Sequence, residues 1–496
     1  MYHEGMTATV HIRLDRSART TLAEQIRLGV LAAIGSGALA PGAKLPSWIA
    51  LAAQLGVARG TVKSAYERLA DEQVIVSSRP GGTKVAEHPV GAARVVPSAE
   101  ADAPPALYQH LVAAPGIFQM GIPAREGFPT SLLARLRAQA ARAEVAAPAV
   151  YPDPRGEIEL RREIAAHLAL ARGIECRPSQ IFITAGFAGA LGTALRVLGV
   201  EGREAWMENP GFFQSRAALE LARLAPVPIP VDDDGIDVSY GVDKAPDAAL
   251  ALVTPGQQAP LGATLSLKRR IDLIAWAARA GAWIIEDDYL GELQLNRRAA
   301  PALASLDRSG RVIHIGSFSK TISPALRLGF IVAPAALATR FAEAALCFGS
   351  APGPAVQQAI AQFMRDGHYM RHLRRMKRIY SARSEALKAA WERKGYRVHI
   401  GGLAAVLHLP QGVSDVDVAE AAVARGLALT PLSPWFSPGT AAVSGLLLGV
   451  ATVTERQIPA ACRQLHQLIG SCNGNTDPAD AAAAKATRRK AAKVAR

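Results

Sequence analysis

The chain has 496 residues, half of them hydrophobic, and a formal charge of +14. This length exceeds a single ordinary hydrophobic core and predicts about three folding units, and the composition excludes a disordered chain. The positive charge favours an anionic partner such as nucleic acid or an anionic cofactor. The four cysteines show no C-x-x-C spacing, which argues against a structural metal site. Without a signal peptide or an apolar run of about 18 residues, the protein is expected to be cytoplasmic, with no membrane contact.

Residues 15–87 are predicted to form three helices followed by a β-hairpin. Apolar residues recur at helical spacing over residues 20–34, which indicates an amphipathic helix. Ser47 is a natural N-cap for a second helix that ends at Gly56, and a third helix follows over residues 58–73. Two β-type runs then flank a Pro-Gly-Gly turn. This order is typical of a winged helix-turn-helix, an α+β domain that binds double-stranded DNA.

The start of the third helix is the candidate DNA-reading element. Its first side chains would meet base edges in the major groove, and Arg59 can donate two hydrogen bonds to guanine. Helix-start amides and Lys44 suit phosphate contacts, and the glycine turn would act as the wing. The positive charge alone is also compatible with a small helical module that binds another protein, which is the alternative to DNA binding. The candidate DNA-contacting residues are Lys44, Ser47, Arg59, Thr61, Lys63, Arg79 and Lys84.

The rest of the chain divides into a linker, a large domain and a tail. Residues 88–115 are rich in Ala, Pro and Val and are expected to be an interdomain linker. Over residues 116–472 short apolar runs alternate with helical stretches, which predicts an α/β domain with a mainly parallel sheet. From about residue 368 to 472 a long basic helix and short strands indicate a smaller C-terminal α+β subdomain. Residues 473–496 are a basic tail, either disordered or a phosphate-binding arm.

Several polar residues at predicted strand ends match the needs of pyridoxal phosphate. This cofactor requires a lysine for its aldehyde, an acid beside the ring nitrogen, donors for the phosphate and a flat side chain over the ring. Taken singly, Lys320 can be a solvated lysine, and the Asp-Asp pair at residue 287 can be a simple turn or a Mg²⁺ ligand. The candidates are Lys320, Asp287, Tyr289, Ser317, Arg327, Phe212 and the turn with Gly186 and Phe187.

Two sets of motifs resemble one family. The segments GALAPGAKLPS and LGVARGTVKSAYERL resemble the winged helix-turn-helix of GntR-type regulators. The segments YPDPRGEIELRREI, AWIIEDDYLGEL, GSFSKTISPALRLGFIVAP and GHYMRHLRRMKRIY resemble the aminotransferase-like domain of the MocR/GabR subfamily. The resemblance implies a large domain with the fold type I architecture of pyridoxal-phosphate-dependent transferases.

The same resemblance implies specific roles. Lys320 would be the Schiff-base lysine, Asp287 the partner of the pyridinium nitrogen, and Tyr289 the contact to the phenolic oxygen. Ser317 and Arg327 would bind the phosphate, and Phe212 would stack on the ring. A head-to-tail homodimer is also implied, in which Tyr151 reaches the phosphate of the neighbouring subunit.

Departures from the family pattern cluster where cofactor and substrate would lie. Phe187 replaces the usual Ser or Thr of the phosphate turn, Gln257 a histidine and Ala259 an aromatic residue. Leu447 stands where an arginine would hold an amino-acid carboxylate, and Gln214 replaces another arginine. In the DNA-binding domain, Trp48 and Ile49 stand where the family has a basic residue, and the wing turn is a residue shorter than usual.

These patterns predict a transcription regulator that senses an amine-containing metabolite or pyridoxal phosphate itself. Transaminase activity is expected to be vestigial or limited to a half-reaction, because the carboxylate contact is missing. Two alternatives remain: an active aminotransferase with an appended DNA-binding domain, and a regulator that has lost the cofactor.

Overall fold

The computed structural model describes residues 12, 14–18, 20–78, 82–87, 116–295, 301–349 and 351–472. The chain divides into two compact units, residues 1–110 and 111–496. The predicted linker, the basic tail and Arg79 lie outside the described residues. Within the described ranges, no helix is long and apolar enough to cross a membrane.

The first unit has the element order predicted from the sequence. Its elements are α1 (Leu22–Gly35), α2 (Trp48–Leu55), α3 (Arg59–Asp71), β1 (Ile75–Ser78) and β2 (Gly82–Val85). Ser47 caps α2 by accepting a hydrogen bond from the Ala50 amide at 3.1 Å, and Gly56 ends it in the left-handed region. Ile26, Leu51 and Val62 are fully buried in the core that the three helices share. β1 and β2 pair as an antiparallel hairpin, which completes the winged helix-turn-helix.

The second unit is built on an eight-stranded sheet of order β3-β10-β9-β8-β7-β4-β5-β6. Its strands are β3 (Ile181–Thr184), β4 (Glu204–Asn209), β5 (Ala225–Asp232), β6 (Gly235–Ile236), β7 (Leu250–Val253), β8 (Trp283–Asp287), β9 (Val312–Ser317) and β10 (Gly329–Val332). The six apolar runs predicted as strands are confirmed. The sheet is mainly parallel, and β10 runs antiparallel to both of its neighbours.

Helices surround this sheet. They are α4 (Thr130–Ala146), α5 (Ile158–Arg172), α6 (Gly186–Leu198), α7 (Phe213–Leu221), α8 (Val238–Lys244), α9 (Leu267–Ala280), α10 (Leu303–Leu306), α11 (Ala338–Phe348) and α12 (Pro354–Arg365). Three apolar clusters join them to the sheet. Most of these strands carry buried apolar residues throughout, as expected for a sheet covered on both faces.

A smaller α+β layer follows. The long helix α13 (His368–Glu392) leads to a four-stranded sheet of order β11-β12-β14-β13, with helices α14 (Asp415–Val423) and α15 (Ile458–Cys472). Its strands are β11 (Val398–Gly401), β12 (Ala404–His408), β13 (Thr430–Pro431) and β14 (Gly445–Gly449). Residues 116–119, far away in sequence, belong to this layer: Phe118 is fully buried in its core, and Ile117 bridges Leu427.

Strand register brings the candidate site residues to one edge of the large sheet. Gly329 pairs with Thr184 on one side and with Ser317 on the other, so these three residues form one row. Asp287 pairs with Ile315 in the next strand. Lys320 follows Ser317 by three residues, and therefore lies at the same carboxyl edge as Asp287, where α/β sheets bind ligands.

Candidate functional site

Asp287 is the unusual acid of the site. It ends β8, is 7% exposed, and its Oδ1 atom has no hydrogen-bond partner among the described residues. Burial, together with the negative charges of Asp288 and Glu208, raises the pKa of Asp287 well above its ordinary value. A buried carboxylate oxygen without a partner costs free energy, which indicates a place for a donor from a ligand.

The acids on either side of Asp287 are paired. The Glu286 carboxylate contacts His314 Nδ1 at 3.0 Å and accepts a hydrogen bond from the Leu303 amide at 2.6 Å. Asp288 accepts hydrogen bonds from Arg172 Nε at 2.7 Å and from Arg172 Nη2 at 2.9 Å. Asp288 is thus engaged by a buried guanidinium, which weakens the interpretation of the Asp-Asp pair as a Mg²⁺ site.

Lys320 lies close enough to the Asp287 carboxylate to feel its charge. Its Nζ donates a hydrogen bond to the Gly121 carbonyl oxygen at 2.9 Å. Burial lowers the pKa of Lys320, and the negative charge of Asp287 acts in the opposite direction. A buried amine with a lowered pKa is more nucleophilic at neutral pH, as covalent attachment of an aldehyde requires. Tyr289, two residues after Asp287, is half-buried, and burial raises the pKa of its phenol, which therefore keeps its proton.

The row formed by Thr184, Gly329 and Ser317 carries the candidate phosphate ligands. Gly186 begins α6 with φ +71°, and a Cβ atom there would lie 3.8 Å from the guanidinium carbon of Arg327. Arg327 is exposed and donates to the Ala185 carbonyl at 3.1 Å. Ser317 Oγ accepts a hydrogen bond from the Ser319 amide at 3.1 Å. The structure thus brings a helix start, a guanidinium and a hydroxyl to adjacent strand ends, the donor types that bind a phosphate.

The candidate aromatic residues differ in their placement. The Phe212 ring lies 5.7 Å from the Trp435 ring and 6.4 Å from the Phe187 ring, centroid to centroid. Phe187 is partly buried and packs against the sheet. Tyr151 is fully exposed, and no ring contact or hydrogen bond joins it to the other candidates among the described residues.

Glu208 is a site residue that the sequence did not single out. It lies near the end of β4, accepts hydrogen bonds from the amide and hydroxyl of Thr254, and contacts Gln258 Nε2 at 3.4 Å. Burial raises the pKa of Glu208 to about 7. The only signal for it was the strand-ending Glu-Asn-Pro sequence, since its partners lie 46 and 50 residues further along the chain.

Two of the substituted positions, Ala259 and Leu447, lie in one apolar cluster. We call it the Leu447 cluster; its buried members are Ala259, Val406, Leu432, Trp435 and Leu447. Leu447 is fully buried in the middle of β14, in register with Val406 and Thr430. Met120, Phe212 and Tyr289 pack against the cluster. The cluster therefore adjoins the candidate cofactor residues.

In the first unit, Arg59 is the first residue of α3 and its side chain is exposed. Lys63 is also exposed and forms an ion pair with Glu67 at 3.6 Å, whereas Thr61 is half-buried. Lys44 and Lys84 are exposed and joined by a β-bridge, which places two cations side by side at the hairpin. The Ser47 hydroxyl is occupied by its cap.

Two families match this chain. Residues 22–85 match the family "Bacterial regulatory proteins, gntR family". Residues 128–465 match the family "Aminotransferase class I and II".

Two curated relatives match nearly the whole chain. The "Probable rhizopine catabolism regulatory protein MocR" of Rhizobium meliloti is 33% identical over 461 residues, which cover 89% of this chain and 92% of that protein. The "HTH-type pyridoxine biosynthesis transcriptional regulator PdxR" of Corynebacterium glutamicum is 32% identical, with 91% of this chain and 96% of the relative covered.

A solved structure matches the second unit. It is the α-aminoadipate aminotransferase LysN from Thermus thermophilus, complexed with N-(5'-phosphopyridoxyl)-L-leucine. The two share a TM-score of 0.65 and 26% identity, and the match covers 72% of this chain and 93% of the other.

Proposed function

Because the chain belongs to the MocR/GabR type of GntR-family transcription regulators, we propose that Lys320 attaches its cofactor and that an amine or pyridoxal phosphate itself is the signal. Family membership makes the chain a DNA-binding transcription regulator with a pyridoxal-phosphate-binding unit of the aminotransferase type. The attachment residue, the signal and the DNA-reading residues are our proposals.

The observation that carries the proposal is the unpartnered Oδ1 of Asp287. Among three consecutive acids, Glu286 and Asp288 already have partners, and Asp287 is the one with a free buried acceptor. A protonated ring nitrogen would supply the missing donor and a positive charge. The residues present therefore fit the cofactor at the position where a cationic group is most needed.

Five further residues complete the fit. Tyr289 keeps its proton, so its hydroxyl is available as a donor to the ring oxygen. Phe212 offers a flat face beside the same cluster, while Gly186 and Arg327 offer donors for a phosphate. Ser317 and the helix-start amides add to this anion site, where Phe187 contributes only its backbone.

When bound, pyridoxal phosphate supplies an aldehyde that reacts with primary amines and a ring that withdraws electrons. The chain contributes the buried Lys320 amine, holds the ring nitrogen with Asp287 and excludes water with the Leu447 cluster. A signal that binds one state of this unit better than another would shift the equilibrium between them, and thereby change DNA binding.

For the first unit we propose that Arg59 reads bases, that Thr61 and Lys63 support it, and that Lys44, Ser47, Lys84 and Arg79 position the DNA backbone. Arg59 is exposed at the helix start, where base edges would be reached. We further propose a cytoplasmic, head-to-tail homodimer in which Tyr151 contacts the cofactor of the partner subunit. The fully exposed ring of Tyr151 is consistent with a contact to another subunit.

The cofactor site is tested by the visible absorption of the full-length protein with pyridoxal phosphate. The wild type should show a cofactor band, and borohydride reduction should fix the pyridoxyl group to the peptide that contains Lys320. Lys320→Ala should lose both. A matched control is Lys268→Ala, because Lys268 is exposed and, among the described residues, pairs with Asp272 on the same helix. Equal labelling of the wild type and Lys320→Ala would refute the proposed attachment.

The DNA-reading helix is tested by anisotropy with a fragment from the protein's own promoter region. Arg59→Ala should weaken specific binding by about 1–3 kcal/mol. Arg68→Ala serves as the control, because Arg68 lies near the other end of α3 and pairs with Glu24 at 3.1 Å. Unchanged affinity in Arg59→Ala would contradict the proposed role.

The presence of both Lys320 and Asp287 at one edge of the large sheet favours a second function, an aminotransferase half-reaction. A single conversion of an added amino donor to its carbonyl product, with no further turnover, would identify this half-reaction. Sustained turnover would instead make the chain an aminotransferase with an appended DNA-binding unit.

A further inference from the structure

The inference concerns the chemistry of the signal and rests on the proposed cofactor site. The Leu447 cluster adjoins that site through three residues. Phe212 and Tyr289 are proposed contacts of the cofactor ring, and both pack against the cluster. Met120 also packs against it, and the next residue, Gly121, accepts the hydrogen bond from Lys320 Nζ. A group attached to an amine at Lys320 would therefore meet this cluster.

The cluster offers no place for a carboxylate. Leu447 occupies the position at which the family resemblance puts an arginine, and it is fully buried between Val406 and Thr430. A carboxylate brought there would lose its water and gain no charged donor, which is strongly unfavourable. An apolar group would bury hydrophobic surface against the partly exposed Met120 and Phe212, which pack against this cluster, and that burial is favourable.

Arg216, one turn into α7, is a cation that contacts a residue of the cluster. Its Nη2 donates to the Trp435 carbonyl at 3.0 Å, so it holds the loop that carries a cluster residue. Its Nε is buried without a partner among the described residues. Arg216 thus supports the loop that carries Trp435, and the variant Arg216→Gln tests whether it also pairs with a carboxylate.

We propose that the signal of this regulator is a primary amine without a carboxylate whose substituent is apolar. Its amine would react at the site of Lys320, and its side group would meet the partly exposed apolar residues Met120 and Phe212, which pack against the buried Leu447 cluster. α-Amino acids would be poor signals, although the fold is shared with enzymes that act on them.

Two pairs of probes separate the two parts of this proposal. 2-Phenylethylamine and phenylalanine differ only in the carboxylate, and propylamine and ethanolamine have the same number of heavy atoms but differ in polarity. Each is titrated into the full-length protein loaded with pyridoxal phosphate. The measurements are the change of the cofactor's visible absorption and the shift of the thermal unfolding midpoint.

We expect 2-phenylethylamine to act at concentrations lower than phenylalanine by about tenfold or more, the factor that one uncompensated charge-assisted contact represents. Propylamine should likewise act at lower concentration than ethanolamine. Leu447→Arg should narrow or reverse the first difference. Should this variant fail to fold, the wild-type titrations decide the question alone.

Equal or better response to phenylalanine in the wild type would overturn the proposal. Loss of that response in Arg216→Gln would then identify Arg216 as the carboxylate partner. A better response to ethanolamine would overturn the apolar part. If the wild type shows no cofactor band at all, the proposed function fails together with this inference, whereas a normal band with the reversed ligand order refutes the inference alone.

Discussion

Replacing Glu208 by Gln should abolish much of the loss of stability that the second unit undergoes as the pH rises from about 4.5 to about 7. Burial raises the pKa of Glu208 from its ordinary value of 4.5 to about 7. The folded protein therefore keeps a proton that the unfolded chain releases between these values, so stability falls as the pH rises through this window. At about 1.36 kcal/mol per pH unit, the loss amounts to about 3 kcal/mol. It is complete above the folded pKa and absent below the unfolded one.

The substitution also has a cost that does not depend on pH. The carbonyl oxygen of Gln can still accept from the Thr254 amide. Its NH₂ group, however, would replace the carboxylate oxygen that accepts from Thr254 Oγ1 and contacts Gln258 Nε2, so that donors would face donors. Mispaired hydrogen bonds of this kind cost about 1 kcal/mol. The variant should therefore be less stable than the wild type by about 1 kcal/mol near pH 4.5 and more stable by about 2 kcal/mol above pH 7.

The measurement is urea unfolding of the cofactor-free, full-length protein at several pH values, followed by tryptophan fluorescence. Trp206 lies on the same strand, and its ring stacks on that of Trp276 with 3.7 Å between the centroids. This pair provides a fluorescence probe close to the substitution. The matched control is Glu204→Gln, at the exposed start of that strand. If Glu208→Gln shows the same pH dependence as this control, the buried carboxyl is not the cause.

Three further predictions follow from single contacts. Asp288→Asn leaves the Arg172 guanidinium buried without its counter-charge and should destabilise the second unit by about 3–5 kcal/mol in urea unfolding; full wild-type stability would show that the pair is not needed. Ser47→Ala removes the cap of α2 at a cost of about 1 kcal/mol, so amide exchange over residues 48–55 should accelerate about fivefold, with the exposed Ser64→Ala as control. Lys84→Ala should lower the slope of log affinity against log salt by about one on any DNA sequence, and a sequence-dependent loss would contradict a phosphate contact.

Local sequence patterns located six strands of the large sheet but missed β5 and the two-residue strand β6. β5 contains Pro226, Pro228 and Pro230, which are typical of loops because proline lacks an amide donor. The strand forms because these prolines alternate with the buried residues Val227 and Ile229, and because its outer neighbour β6 pairs only with its last two residues. Every second residue of β5 from Pro226 to Pro230 therefore lacks an amide donor on the side of β6. Because β6 pairs with only two residues of β5, few ladder hydrogen bonds are lost.

Contacts between residues far apart in the chain could not be predicted from the sequence either. Asp287 and Lys320 could be identified because each ends or follows a predicted strand. The partner of Asp288 is Arg172, 116 residues earlier, and the partner of Lys320 is Gly121, 199 residues earlier. Periodicity and turn chemistry describe neighbours along the chain and contain no information on such pairs.

The three consecutive acids Glu286, Asp287 and Asp288 link the stability of the second unit to the proposed binding of the cofactor. The outer two acids are held by His314 and Arg172, which fixes the strand and leaves the middle carboxylate unsatisfied. That unsatisfied group lowers the stability of the cofactor-free protein, and a cation bound beside it returns the free energy. At the cofactor site proposed above, binding and the stability of the unit would therefore be coupled at Asp287. A ligand bound there would shift the equilibrium between conformations, as regulation requires.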